Sequence, residues 1–175
     1  EPLPNGRVLS ILKTLRDDLR QMIDYNASGG AEAAIPDTPV QWAAPLRHRF
    51  TRIFDELEVD STWNVATQWL DPELRPSALQ SLNLSRLVEE ALSNVIKHSR
   101  ATSVRVRCEQ PSAEGFVVCV EDNGVGFDVA AVQQQHTSVG MRSMTARTAR
   151  IGGRLNVDSG ACGTLVSVEI ALSRS

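Results

Sequence analysis

The chain has 175 residues, of which 42% are hydrophobic and 22% charged, a composition that suits one packed domain with room for a short appended element. Its formal net charge is -3, and no stretch concentrates Lys and Arg strongly enough for a nucleic-acid surface. Three cysteines, Cys108, Cys119 and Cys162, without a C-x-x-C pair argue against a disulfide framework or a zinc site, and no apolar run approaches the roughly 20 residues of a membrane span.

No signal peptide is visible, and the chain begins at Glu1-Pro2 without Met, so it is expected to be a piece of a longer protein. Residues 6–26 read as a helix. Val8, Leu12, Leu15, Leu19 and Met22 recur at alternating spacings of four and three, a heptad seam widened by Ile11 and Ile23. Such a stripe wants partner helices; the alternative is that it packs on the rest of this chain. Residues 27–39 form a linker, with Gly29-Gly30, Pro36 and Pro39. A second helix is predicted over 40–57, with Leu46, Phe50, Ile53 and Leu57 on one face, followed by a strand over 61–68.

Pro72 and Pro76 mark a loop, and a strong helix follows over 77–98 with Leu84, Leu87, Val88, Ala91, Leu92, Val95 and Ile96 as its apolar face. Beyond it the chain turns to strands. Val104, Val106 and Cys108 alternate with Arg105, Arg107 and Glu109, so one face is wet, whereas residues 116–120 are continuously apolar and read as a central strand. Residues 121–139 are glycine-rich and polar. A helix over 141–151 closes on Gly152-Gly153, and strands over 154–158 and 164–172 complete the chain. The predicted fold is an α/β two-layer sandwich, with about three helices on a mixed sheet of about five strands, preceded by the separate first helix.

Four short segments carry candidate chemistry. Glu90, Asn94, Lys97 and His98 fall at three- and four-residue spacings on one side of a helix. A carboxylate, an amide oxygen and a cation there suit a phosphate with its Mg²⁺, which favours hard oxygen ligands; an ordinary solvated helix face is the competing reading. Asp122, at the end of an apolar strand, can accept a hydrogen bond from an amine, and Gly124 and Gly126 after it permit positive φ and close backbone approach. Neither a third glycine at the Rossmann offset nor a P-loop Gly-Lys-Ser/Thr follows. Val139, Gly140 and Met141 open a helix, where free N–H groups bind anions. Thr164, after Gly163, can bridge to a base through water. His48 reads as a half-exposed surface residue, Trp42, Trp63 and Trp69 as packing or partner surface, and Cys162 as a loop filler.

In this order the segments resemble the nucleotide-binding fold shared by sensor histidine kinases, gyrase, Hsp90 and MutL. Glu90-Ala91-Leu92-Ser93-Asn94-Val95-Ile96-Lys97-His98 matches that family's N box. Asp122-Asn123-Gly124-Val125-Gly126-Phe127-Asp128 and Val139-Gly140-Met141-Arg142-Ser143-Met144 match its two glycine boxes, and Gly163-Thr164 its closing pair. Lys97-His98-Ser99-Arg100-Ala101 and Gly152-Gly153-Arg154-Leu155-Asn156-Val157 are similar to the kinase subgroup that signals to helix-turn-helix response regulators.

The resemblance implies a catalytic domain over 40–175 that binds ATP with Mg²⁺ and phosphorylates a histidine supplied upstream. Glu90 would be the acid/base residue, Asn94 the Mg²⁺ ligand, Lys97 and His98 phosphate contacts, and Asp122 with Thr164 the adenine readers. Gly124, Gly126, Val139, Gly140 and Met141 would complete the ATP site. Residues 1–26 would be part of the dimerisation and phosphoacceptor hairpin of a homodimeric protein whose partner is a response regulator. This part would be cytoplasmic, without nucleic-acid or direct membrane contact, in a full-length protein anchored in the bacterial inner membrane. Two departures stand out. Ser138 takes the place of a usual glycine, and no His followed by an acid is present as phosphoacceptor: His48 precedes Arg49, and His136 lies in the presumed lid. On the same fold, a serine kinase of the anti-sigma-factor type lacks the hairpin stalk; a nucleotide-sensing module without turnover would not need Glu90.

Overall fold

The computed structural model describes Arg16 and residues 36–135 and 139–174. Two units divide the chain, Glu1–Ala34 and Ile35–Ser175, and every helix and strand named below belongs to the second. The predicted heptad seam, most of the linker, His136 and Ser138 lie outside the described residues.

Helix α1 spans Pro39–Glu56. Thr38 caps it, its hydroxyl accepting from the Gln41 N–H at 3.1 Å, and Pro39 stands where an N–H would have no partner. Trp42, Leu46, Phe50, Ile53 and Phe54 recur at helical spacing and are buried. Strand β1, Asp60–Val65, follows after a left-handed Glu58. It is shorter than predicted because the chain leaves the sheet to lay Trp69 edge-on against Phe116, 5.1 Å between ring centroids. Trp42 meets the same ring at 5.9 Å. Both indoles are core, each 5% exposed.

A two-residue strand β2, Leu74–Arg75, leads into helix α2, Ala78–Asn94. Ser77 and Gln80 form a reciprocal capping box at its start. Leu84, Leu87, Val88, Ala91 and Leu92 face the core. Glu89, 4% exposed, is held by Arg49 of α1 at 2.7 Å and by Arg86 at 3.2 Å, which ties the two helices together. After Asn94 the helix widens into one π-helical turn, Val95–Ser99, ended by a left-handed Arg100. Strands β3, Ser103–Ser112, and β4, Gly115–Asp122, form a hairpin. Helices α3, Val129–Gln135, and α4, Val139–Arg150, follow. Then come β5, Arg154–Gly160, β6, Gly163–Ala171, and β7, Ser173–Arg174.

The main sheet has the order β1-β3-β4-β6-β5, with β1 parallel to β3 and every other pair antiparallel; β2 and β7 form a separate small pair. The predicted central strand is indeed β4. Val104, Val106, Phe116, Val118, Val120, Val168 and Ile170 are buried, while Arg105, Glu109 and Glu169 on the alternate positions are exposed. Among the described residues four helices therefore accompany a mixed five-stranded sheet, one more than predicted for this part of the chain. The extra one is α3, inside the polar run, where Asp128 accepts from the Ala131 N–H at 3.0 Å and starts a helix. Cys108 and Cys119 are buried free thiols, the former pushed up to about 12 chiefly by burial, and Cys162 is exposed and free. Among the described residues no helix is long and apolar enough to cross a membrane.

Candidate functional site

The four segments meet around one cavity of about 350 Å³. Its walls come from Ala91 and Asn94 at the end of α2, Val95 and His98 of the π turn, Val120 and Asp122 of β4, Met141 and Met144 of α4, and Thr164 and Val166 of β6. This is the end of the sheet at which β4 stops and β6 begins, so a strand terminus, two helix termini and a loop converge there.

Asp122 lies at the deep end, 8% exposed. Its Oδ1 accepts from the Gly124 N–H at 2.8 Å, and the carboxylate also accepts from the Thr164 backbone N–H. Burial pushes this carboxyl above the ordinary Asp value, and the two N–H donors pull it only part of the way back. Around it the backbone is packed too tightly for side chains. A Cβ on Gly124 would collide with the Ser99 carbonyl, and one on Gly126 with the Gly160 carbonyl. Neither residue uses the positive φ that glycine permits, so of the two properties read from the sequence close approach is what each requires. Positive φ occurs instead at Gly163, φ +125°, where a Cβ would strike the Asp122 carbonyl.

Hydrogen bonds stitch this loop to its surroundings. Val125 N–H donates to the Ser99 carbonyl at 2.6 Å. Phe127 N–H donates to Ser159 Oγ at 2.9 Å, which lies 2.7 Å from Thr164 Oγ1. Asn123 points away and holds the start of β3, its Oδ1 accepting from the Thr102 and Ser103 N–H groups at 3.0 and 2.9 Å. The Ser99 hydroxyl in turn donates to the Val95 carbonyl at 2.9 Å, so the π turn and the loop are fastened as one piece.

The other end is polar. Asn94 and His98 line the cavity, whereas Lys97 is exposed and does not. The π turn accounts for this: it carries one residue more than an α turn, so the face predicted from α spacing splits. Glu90 stands outside the cavity lining but directly under the start of α4. A Cβ on Gly140 would collide with Glu90 Oε1 and come within 3.5 Å of Asn94 Nδ2. Glu90, Asn94 and the N-terminus of α4 are thus neighbours. Val139 is 71% exposed, and Met141 turns into the cavity. Reading the sequence missed Ser99, Val132, Met144 and Val166. Helical and strand periodicity marks Met144 and Val166, and the cap at Asp128 marks Val132; the place of Ser99 follows only from the tertiary contact with Gly124.

Residues 80–174 match the family described as histidine kinase-, DNA gyrase B- and HSP90-like ATPase. The signal transduction histidine-protein kinase/phosphatase DegS of Bacillus subtilis is 33% identical over 92 residues, which cover 51% of this chain and 24% of DegS. The signal transduction histidine-protein kinase/phosphatase UhpB of Salmonella typhimurium is 33% identical over 126 residues, 71% of this chain and 24% of UhpB. The chain therefore spans about a quarter of the length of these two relatives. Among solved structures, the histidine kinase domain of the Erythrobacter litoralis EL346 blue-light activated histidine kinase shares the fold with a TM-score of 0.62 at 23% identity, over 95% of this chain and 74% of that one. With the cavity, the helix end and the glycine loop arranged as above, the chain belongs to the histidine kinase-, DNA gyrase B- and HSP90-like ATPase family, as an ATPase domain of the histidine kinase type.

Proposed function

We propose that this chain is the ATP-binding catalytic domain of a sensor histidine kinase, which transfers the ATP γ-phosphate to a histidine on a hairpin of the same full-length protein. The phosphoryl group then passes to an aspartate of a response regulator. The observation that carries this reading is the buried Asp122 carboxylate, aimed into an otherwise apolar cavity whose opposite end is polar. A flat ring with one exocyclic amine suits that deep end, and a phosphate chain suits the other.

Asp122 accepts the hydrogen bond of the adenine amine, with Thr164 beside it. Val120, Met141, Met144 and Val166 enclose the ring. Gly124 and Gly126 let the backbone come close. The start of α4 at Val139, Gly140 and Met141, with Lys97 and His98, holds the phosphates. Among the described residues no three His, Cys, Asp or Glu side chains gather as a metal site. Asn94 offers an amide oxygen, which fits Mg²⁺ arriving with phosphate and keeping its waters. Bound Mg²⁺ would supply charge neutralisation between phosphate oxygens. Glu90 accepts a hydrogen bond from the attacking imidazole and orients it. The full-length protein is a homodimer anchored in the bacterial inner membrane, with this domain on the cytoplasmic side.

The test is incubation with γ-labelled ATP and Mg²⁺. The chain alone binds nucleotide and stays unlabelled, because it lacks a phosphoacceptor; joined to the upstream hairpin, it labels the hairpin histidine. Stable label on His48, or no label with the hairpin restored, overturns the proposal.

A further inference from the structure

On the far side of α1 from Glu89 lies a second cavity, remote from the nucleotide site. It is a groove of about 610 Å³ between α1 and β1. One continuous face of α1 lines it, Val40, Ala43, Ala44, Arg47, His48, Thr51 and Arg52, opposite Trp63 and Val65. The rim is basic: Arg47, His48 and Arg52 are exposed. Neither arginine forms an ion pair among the described residues, in a chain whose net charge is -3.

Two further features mark the groove as unfinished. Trp63 Nε1 and Thr51 Oγ1 are buried polar atoms without a hydrogen-bond partner. Leaving such groups unpaired costs free energy unless something else meets them. In addition, β1 is the edge of the sheet. The Asp60 N–H donates to the Thr102 carbonyl, just before the neighbouring strand β3, at 2.9 Å. Asp60, Thr62 and Asn64 thus spend their backbone groups on β3. By strand alternation the N–H and C=O of Ser61, Trp63 and Val65 point outward, and among the described residues none is paired.

We propose that this groove docks an extended, acidic segment of a protein partner, which adds as a strand to the outer edge of β1. The backbone of the segment takes up the outward groups of Ser61, Trp63 and Val65. Its inward side chains enter the groove over Ala43 and Thr51, and its carboxylates meet Arg47, His48 and Arg52. Strand addition supplies the main-chain hydrogen bonds and the groove selects alternate side chains. An anionic membrane or a nucleic acid answers to the same charges but has no use for a row of unpaired strand groups.

The experiment uses the chain with a fluorescent peptide long enough to span the six residues of β1, alternating glutamate with valine and threonine, and its lysine counterpart. Anisotropy is expected to saturate with the acidic peptide only, and the Trp63 indole N–H resonance, assigned with Trp63→Phe, to move on binding. The double substitution R47E/R52E, at exposed positions, is expected to weaken the acidic peptide at least tenfold and to gain the lysine peptide. Val65→Pro, which removes one outward N–H, is expected to abolish binding while ATP affinity stays unchanged. No saturable binding of the acidic peptide, or binding indifferent to R47E/R52E, overturns the proposal. So does tighter binding of anionic vesicles or duplex DNA that the same double substitution removes.

Discussion

At its deep end the cavity is closed by one buried carboxylate, Asp122, set among backbone groups packed so closely that Gly124 and Gly126 admit no Cβ. At its other end stand Asn94 and His98, more open to solvent, with Glu90 just outside the lining; Glu90 and Asn94 lie beneath the start of a helix. The first end has a close-packed shape and a single carboxylate, with the Thr164 hydroxyl beside it. The second has several polar groups and a covering element, α4, whose Gly140 lies against Glu90. Under the proposed function recognition belongs to the deep end and chemistry to the mouth, so substitutions at the two ends should fail in different ways.

The largest effect is expected at the mouth. Glu90→Gln keeps size and hydrogen bonding, including the fit beneath Gly140, and removes only the carboxylate. With the upstream hairpin restored, phosphoryl transfer should fall by roughly 10²-fold or more while nucleotide affinity holds. Quench-flow transfer rates beside calorimetric affinities check this. Transfer at the wild-type rate would remove Glu90 from the chemistry.

Next comes the deep end. Asp122→Asn presents an amide donor where a donor is to be accepted. The mismatch costs about 1–3 kcal/mol for a buried pair, or roughly 5- to 150-fold in ATP affinity, with the fold intact by circular dichroism. Unchanged affinity in calorimetry would break the assignment of adenine to this end. Asn94→Ala sharpens the contrast from the other side. It should weaken Mg²⁺-ATP by about tenfold, about 1.4 kcal/mol, yet leave binding in EDTA almost unaltered, because only the metal loses a ligand.

The two ends also differed in how plainly the sequence announced them. Asp122 was legible because an apolar strand ends on an acid before two glycines. The role of those glycines was legible only in part, since a residue's need for close approach depends on a neighbour, Ser99 or Gly160, far away in the chain. The mouth was harder. Nothing in Val95-Ile96-Lys97-His98 distinguishes a π turn from an α turn; the widening goes with Val125 and Gly124 pressing on Ser99, a tertiary contact. Alpha-helical spacing therefore groups Lys97 with Asn94 and His98, whereas Lys97 is exposed and does not line the cavity. The sheet, by contrast, follows from period-two patterns in β3 and β4, while β2 and β7 are too short, at two residues each, to show any period.

The smallest effect is a pH dependence confined to Asp122. Burial raises its carboxyl in the folded chain above the ordinary value that the unfolded chain retains. In the window between those two values the folded chain holds a proton that the unfolded chain has released. Stability then falls as pH rises through the window and is level above it, the opposite of a carboxylate held by a cation. Other carboxylates titrate nearby, so the informative quantity is the difference between wild type and Asp122→Asn. Denaturation midpoints measured from below the window to neutral pH should show wild type losing ground to the variant as pH rises. ATP affinity should run the other way, because the adenine amine favours the ionised carboxylate: wild-type binding weakens as pH drops into the window, and the residual binding of Asp122→Asn does not. Parallel stability curves for the two proteins would mean that the two backbone N–H groups from Gly124 and Thr164 fully offset burial. The deep end would then be polar in character, and its contrast with the mouth would rest on shape alone.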